Sequence, residues 1–294
     1  MTTAQTIIDQ ARRDLLAGVV EERNKLAGSI NSSATSVQLS FDPKGVRDGA
    51  VIEIGAELMY VWSVSGSTVT VERGWEGTTA ASHNANAIIT VKPRFPNRQL
   101  FDHVNDEITD LSSPANGLYQ IKTATLQYNG SDRAIDMSGV TDLISIHEVR
   151  WRYASDEWIE VRGYRLSRNA ATTDFASGLM LIFDSPPAQA STVRVTYKAP
   201  YTRLSALSDD VTTVGGVQAS LEDVIRMGVQ LRAMVGREVK RNFTEAQGDT
   251  RRAGEVGPGA VQASWRGIAA VRQARIEAEQ ARLSQQYPVR IRRY

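Results

Sequence analysis

Ala219-Ser-Leu-Glu-Asp-Val-Ile-Arg-Met-Gly-Val-Gln-Leu-Arg-Ala-Met-Val-Gly-Arg-Glu-Val-Lys-Arg241 opens the stretch, Ala219–Tyr294, around which the 294-residue chain is organised. Leu221, Val224, Ile225, Leu231, Val235 and Val239 recur at helical spacing and form one apolar stripe. Ser220 is the candidate N-cap. Glu222 and Asp223 suit the positive end of the helix dipole, and Lys240 and Arg241 the negative end. A second helical pattern follows Gly257-Pro258-Gly259 and runs to about Gln286. Its stripe is thinner, Val261, Trp265, Ile268, Ile276 and Leu283, and its other faces carry Arg266, Arg272, Arg275, Glu277, Glu279 and Arg282. Pro288 stops that helix.

The chain ends Tyr287-Pro-Val-Arg-Ile-Arg-Arg-Tyr294, an extended pattern. Val289 and Ile291 alternate with Arg290 and Arg292, Arg293 follows, and Tyr287 and Tyr294 bracket the run. Nothing in the sequence is an obvious internal partner for it. It is either a solvated terminus or a segment that adds to the sheet or groove of another subunit.

Upstream, Thr2–Ala17 is amphipathic, with Ile7, Ile8, Ala11, Leu15 and Leu16 on one face and Gly18 as C-cap. From Asn24 to Pro96 the period changes to two. Ser36–Phe41, Ala50–Gly55, Glu57–Trp62, Thr68–Arg73 and Ala87–Val91 read as strands, with a turn at Ser65-Gly66-Ser67. Arg98–Leu111 is a second short helix. Leu118–Tyr201 is again β, with strands at Gln120–Tyr128, Ala134–Met137, Leu143–Tyr153, Trp158–Val161, Leu179–Phe183 and Thr192–Tyr197.

The predicted class is therefore α+β. Helices in residues 1–23, 97–116 and 205–286 form one bundle, interrupted by two antiparallel β-domains. Residues 24–96 make a small barrel or sandwich, residues 117–204 a larger sandwich, and residues 287–294 an extended tail.

Hydrophobic and charged fractions of 41% and 23% are those of an ordinary globular protein. The net charge of +1 is no global signature for nucleic acid, but it is unevenly spread. From Ala219 onward fourteen Lys/Arg face eight Asp/Glu, a local +6, which leaves about −5 for the rest. The absence of cysteine excludes disulfides, thiolate nucleophiles and Cys-ligated metals. The N-terminus lacks the pattern of a signal peptide, and no apolar run approaches the ~20 residues of a membrane span. The expectation is a protein made and kept in the cytosol, or released by lysis, with no membrane partner.

Arg73-Gly-Trp-Glu-Gly-Thr-Thr-Ala-Ala-Ser-His83 lies between two strands. Gly74 and Gly77 allow backbone angles closed to β-branched residues, and Thr78, Thr79 and His83 can pin the loop. A catalytic alternative pairs His83 with Glu76 or Ser82. His83, His103 and His147 show no metal-ligand spacing, and neither a phosphate loop nor a dinucleotide fingerprint is present. No cofactor is expected. Trp151, Tyr153, Trp158 and Tyr164 crowd one part of the second β-domain, where they either pack or line a sugar groove.

The Arg73–His83 motif, preceded by Ile52-Glu-Ile-Gly-Ala-Glu57, resembles a β-module of tailed-phage structural proteins. Gln247-Gly-Asp-Thr-Arg-Arg-Ala253, Trp265 and the ending Tyr287–Tyr294 resemble the C-terminal region of head-to-tail connector proteins of tailed bacteriophages. The resemblance implies a non-enzymatic adaptor in the virion neck, assembled in the host cytoplasm. It implies a homo-oligomeric ring, commonly of twelve subunits, below the portal protein and above downstream neck or tail proteins. Viral double-stranded DNA passes through such a ring. Portal or subunit contacts then fall on Tyr287, Val289, Arg290, Ile291, Arg292, Arg293 and Tyr294. Arg266, Arg272, Arg275 and Arg282 are expected to face neighbouring subunits or the portal rather than the lumen, where they would trap phosphate. A tail or baseplate protein whose sandwich binds glycan is the alternative, and a glycan-cleaving enzyme a third.

Overall fold

The computed structural model describes residues 2–153, 157–187, 189–245 and 260–288. The Gly257-Pro258-Gly259 break, the Gln247–Ala253 string and the tail from Val289 lie outside them. The fold is mixed α+β, with four α-helices and antiparallel sheets among the described residues. The chain divides into two compact units, Met1–Ile108 with Arg203–Arg275, and Thr109–Thr202 with Ile276–Tyr294.

In the first unit, α1 (Ala4–Leu16) starts at Thr3, whose hydroxyl accepts from the Thr6 N–H at 3.2 Å. It ends at Ala17, whose φ of 46° makes it the left-handed C-cap, one residue before the glycine the sequence had suggested. Ile7, Ile8 and Ala11 are buried along one face, together with Arg12. Six strands follow: β1 (Arg23–Lys25), β2 (Ser36–Gln38), β3 (Val51–Ile54), β4 (Glu57–Ser65), β5 (Thr68–Glu72) and β6 (Ile88–Val91). They form one antiparallel sheet in the order β1-β6-β3-β4-β5-β2. A bridge between Leu26 and Leu39 joins its two edges, with Ala27 N–H to Gln38 O and Ser40 N–H to Lys25 O both at 2.8 Å. The sheet thus rolls into a small barrel filled by Leu26, Val37, Ile52, Met59, Val69 and Ile89.

β1 has no apolar residue, so alternation could not reveal it. Asn24 points inward instead, donating to Phe41 O at 3.0 Å and accepting from the Phe41 N–H at 3.2 Å. β4 and β5 join through a two-residue turn after Ser65, with Gly66 at φ 58°.

The helices are α2 (Asn97–Leu111), α3 (Glu222–Glu245) and α4 (Ala260–Gln286). A single 3₁₀ turn, Ala219–Leu221, precedes α3. Ser220 therefore lies inside that turn and is not the N-cap, a position taken by Gln218. α1 packs on α3. Gln230 donates to Asp14 at 2.6 Å, and Thr2 donates to Glu222 at 2.9 Å.

The second unit is a sandwich. Its strands are β7 (Gln120–Tyr128), β8 (Ala134–Asp136), β9 (Ser145–Arg152), β10 (Ile159–Glu160), β11 (Tyr164–Ser167), β12 (Met180–Phe183) and β13 (Ser191–Ala199). A four-stranded sheet, β10-β9-β13-β7, faces a three-stranded one, β11-β12-β8. Leu126, Val149, Leu181, Phe183, Val193 and Val195 fill the space between them. Alternate burial along all nine residues of β13 marks it as the central strand.

Candidate functional site

The Arg73–His83 loop is built on a buried carboxylate, that of Glu57 at the start of β4. Its side chain is 1% exposed. Arg73 grips it with both Nε, at 2.7 Å, and Nη2, at 2.8 Å. The N–H groups of Gly74 and Ala81 donate to it at 3.2 and 3.0 Å, and His83 Nε2 donates at 2.8 Å. The remaining Arg73 protons reach the carbonyls of Asn31, Ala34 and Ala81. Burial is the largest influence on the Glu57 carboxyl and pushes its pKa up. The bonds from Arg73, Ala81 and His83 together outweigh it and hold the pKa below the ordinary value.

Gly74 and Gly77 have φ of 66° and 76°, and a β-carbon on Gly74 would lie 2.9 Å from Thr78 O. The Thr78 hydroxyl donates to Trp75 O at 2.9 Å and accepts from the Leu58 N–H at 3.0 Å. His83 thus pairs with Glu57, a residue that the loop sequence alone does not point to, rather than with Glu76 or Ser82.

A second buried carboxylate, Glu53 on β3, lies 3.5 Å from Arg12 of α1 and accepts from the Asn97 N–H at the start of α2. Arg12 also donates to Phe95 O at 2.8 Å and Asn97 Oδ1 at 2.6 Å. Burial pushes the Glu53 pKa up to about 7, against the pull of Arg12 and the Asn97 N–H.

A third centre ties the C-terminal helices. Glu107 of α2, 1% exposed, accepts from Arg272 of α4 at 2.6 Å and from Arg232 of α3 at 3.4 Å. Arg275 bonds Asp223 at 3.0 Å and Ser220 O at 2.7 Å. In the second unit Arg282 bonds Glu279, one turn earlier, at 2.6 Å. Arg272, Arg275 and Arg282 each have a carboxylate acceptor within their own chain. Arg266 is exposed.

Of the tail, Tyr287 is described and Val289, Arg290, Ile291, Arg292, Arg293 and Tyr294 are not. Tyr287 has an internal partner that the sequence did not suggest. Its ring meets His147 edge-on, with centroids 5.3 Å apart. In the sandwich, the guanidinium carbons of Arg194 and Arg152 lie 3.9 and 4.6 Å from the Trp158 ring centre. Trp151 packs edge-on against Tyr153, and Tyr164 is buried in the core.

Among the described residues no group of three or more His, Asp or Glu is placed to hold a metal ion. No described helix is long and apolar enough to cross a membrane. No family model matches the chain, and no curated protein matches it. Among solved structures, the chain is similar to the Gp54 tailspike of Acinetobacter baumannii bacteriophage AP22, solved in complex with A. baumannii capsular saccharide. The identity is 19% and the TM-score 0.18, and the match covers 25% of this chain and 15% of that chain.

Proposed function

We propose that the chain is a structural subunit of a tailed-bacteriophage virion: the head-to-tail adaptor that forms a ring below the portal, joins capsid to tail and encloses the DNA exit channel. The observation that carries this is the exposure of α4. Residues 262–267 are all exposed, Trp265 is 37% and Val271 56% exposed, and Val235 on α3 is 62% exposed. A helix of 27 residues is about 40 Å long. Among its described side chains only Ile276, Glu279 and Leu283 are buried. Exposed aromatic and branched apolar side chains on so long a helix suit burial by a further copy of the chain.

In this reading the helices form the bundle that faces the portal, and portal binding falls on the residues after Pro288. The ring sits in the neck, after assembly in the host cytoplasm, and has no catalytic role. The pairing of Arg272 and Arg275 with carboxylates supports it further, since paired guanidinium groups hold a passing polyanion less strongly than bare ones. Negative-stain microscopy and native mass spectrometry of the full chain test the reading. Closed rings are expected, and a monomer or trimer that also fails to bind the cognate portal would refute it.

A further inference from the structure

The outer face of the barrel carries a three-ring aromatic cluster that the adaptor reading does not use. Tyr60 and Trp62 meet edge-on at 4.8 Å, and Tyr60 and Trp75 lie 4.7 Å apart at 33°. Trp62 is 57% exposed.

Two separate backbone distortions bring these rings together. The register of β4 against β5 slips between Val61 and Ser63, which makes Trp62 the extra residue of a β-bulge. Such a bulge turns its side chain out of the regular alternation. Trp75 lies in a turn whose residues Gly74, Glu76 and Gly77 all have positive φ, of 66°, 52° and 76°. For Glu76 that conformation is sterically unfavourable, and on either side of the turn the Gly74 and Ala81 N–H groups bond Glu57. Strain and a bulge are thus both spent on presenting rings that water would rather see buried.

The charges around the rings point to the ligand. β4 and β5 contain no lysine or arginine. Glu72, the cross-strand neighbour of Tyr60, and Glu76, next to Trp75, are both exposed. Aromatic faces bordered by carboxylates attract a cation, and a planar guanidinium can stack on the ring while its edge bonds the carboxylate. We propose that Tyr60, Trp62 and Trp75, with Glu72 and Glu76, form a docking site for an arginine-bearing segment of a partner polypeptide.

Calorimetric titration of the full chain with a hexa-arginine peptide at about 0.15 M salt tests this, with hexaglutamate and maltohexaose as comparison probes. Hexa-arginine should bind. Trp62→Ala, and separately the Glu72→Gln/Glu76→Gln pair, should each weaken it about fivefold to tenfold. The carboxylate pair leaves all three rings in place, so it keeps the test valid if Trp62→Ala disturbs the barrel. Three results would overturn the proposal: no binding, binding unchanged in both variants, or maltohexaose binding that depends on Trp62, which would make the site a saccharide platform. A chain that binds hexa-arginine but neither forms rings nor binds the cognate portal would uphold this inference and refute the adaptor reading.

Discussion

Gly228 of α3 leaves the room that the Glu107 carboxylate of α2 occupies: a β-carbon at position 228 would lie 2.0 Å from Glu107 Cδ. That carboxylate is in turn the acceptor for Arg272 and Arg232. Three helices are tied at one point because one of them lacks a side chain there.

Gly228→Ala should therefore destabilise the protein, although alanine is favoured over glycine in a helix by about 1 kcal/mol. Displacing Glu107 strains or breaks a buried, hydrogen-bonded ion pair, a change on the order of 3–5 kcal/mol. A net loss of about 2 kcal/mol in urea denaturation is expected. A gain would show that the carboxylate moves aside freely.

In the barrel, Glu57→Gln should cost about 3–5 kcal/mol, because it leaves the buried Arg73 charge uncompensated. His83→Gln should cost only about 1 kcal/mol, since the amide can still donate to Glu57. Gly77→Val should cost about 2 kcal/mol through its positive φ alone. Denaturation midpoints of the three variants give the ranking. A larger loss at His83 than at Glu57 would argue for a separate role of the imidazole.

Glu53 makes stability depend on pH. Its carboxyl titrates at about 7 in the folded protein against an ordinary 4.5. Between those values the folded chain keeps a proton that the unfolded chain has released. The group therefore stabilises the fold below the lower value, and that contribution is lost as pH rises to the upper one. Glu53→Gln retains an uncharged acceptor for the Asn97 N–H and removes the titration. Wild type should lose up to about 3 kcal/mol relative to this variant between about pH 5 and pH 8. Parallel stability curves would exclude the assignment.

The tail prediction separates stability from assembly. Tyr287→Ala should lower stability by about 1 kcal/mol, because it removes the edge-on contact with His147. Truncation after Pro288 leaves that contact intact and should abolish portal binding, as read by surface plasmon resonance. Undiminished binding by the truncated chain would remove the tail from the interface.

Periodicity revealed the elements that bury a regular face. Leu221, Val224 and Ile225 marked α3, and Val193, Val195 and Tyr197 marked β13. It failed where the buried group is polar or the register slips. Asn24 hides β1 because a buried amide carries no hydrophobic signal. Glu57 looked like an ordinary outward residue of an alternating strand. Its role rests on Arg73, Ala81 and His83, which come close only after the loop has bent. The one available hint was a lone acid in an apolar run ahead of an arginine and a histidine. Trp62 read as a regular strand position because a bulge leaves no trace in composition. The arginines of α4 were visible as charges. Glu107, the acceptor for Arg272 and Arg232, was not, since nothing next to it in the sequence marks it as buried.

Thr2 and Glu222 are bonded across 220 positions, and Ala4 N–H reaches Asp209 O. α1 therefore docks on a segment synthesised about 220 residues later. At ordinary translation rates about 10–40 s separate the two. The barrel, contiguous in sequence, can close during that interval, while Ile7 and Ile8 wait for α3. α1 is thus made before the barrel and settles after it. A nascent chain released before residue 222 would carry a finished barrel and an undocked amphipathic helix, the form most exposed to chaperone capture and to proteolysis.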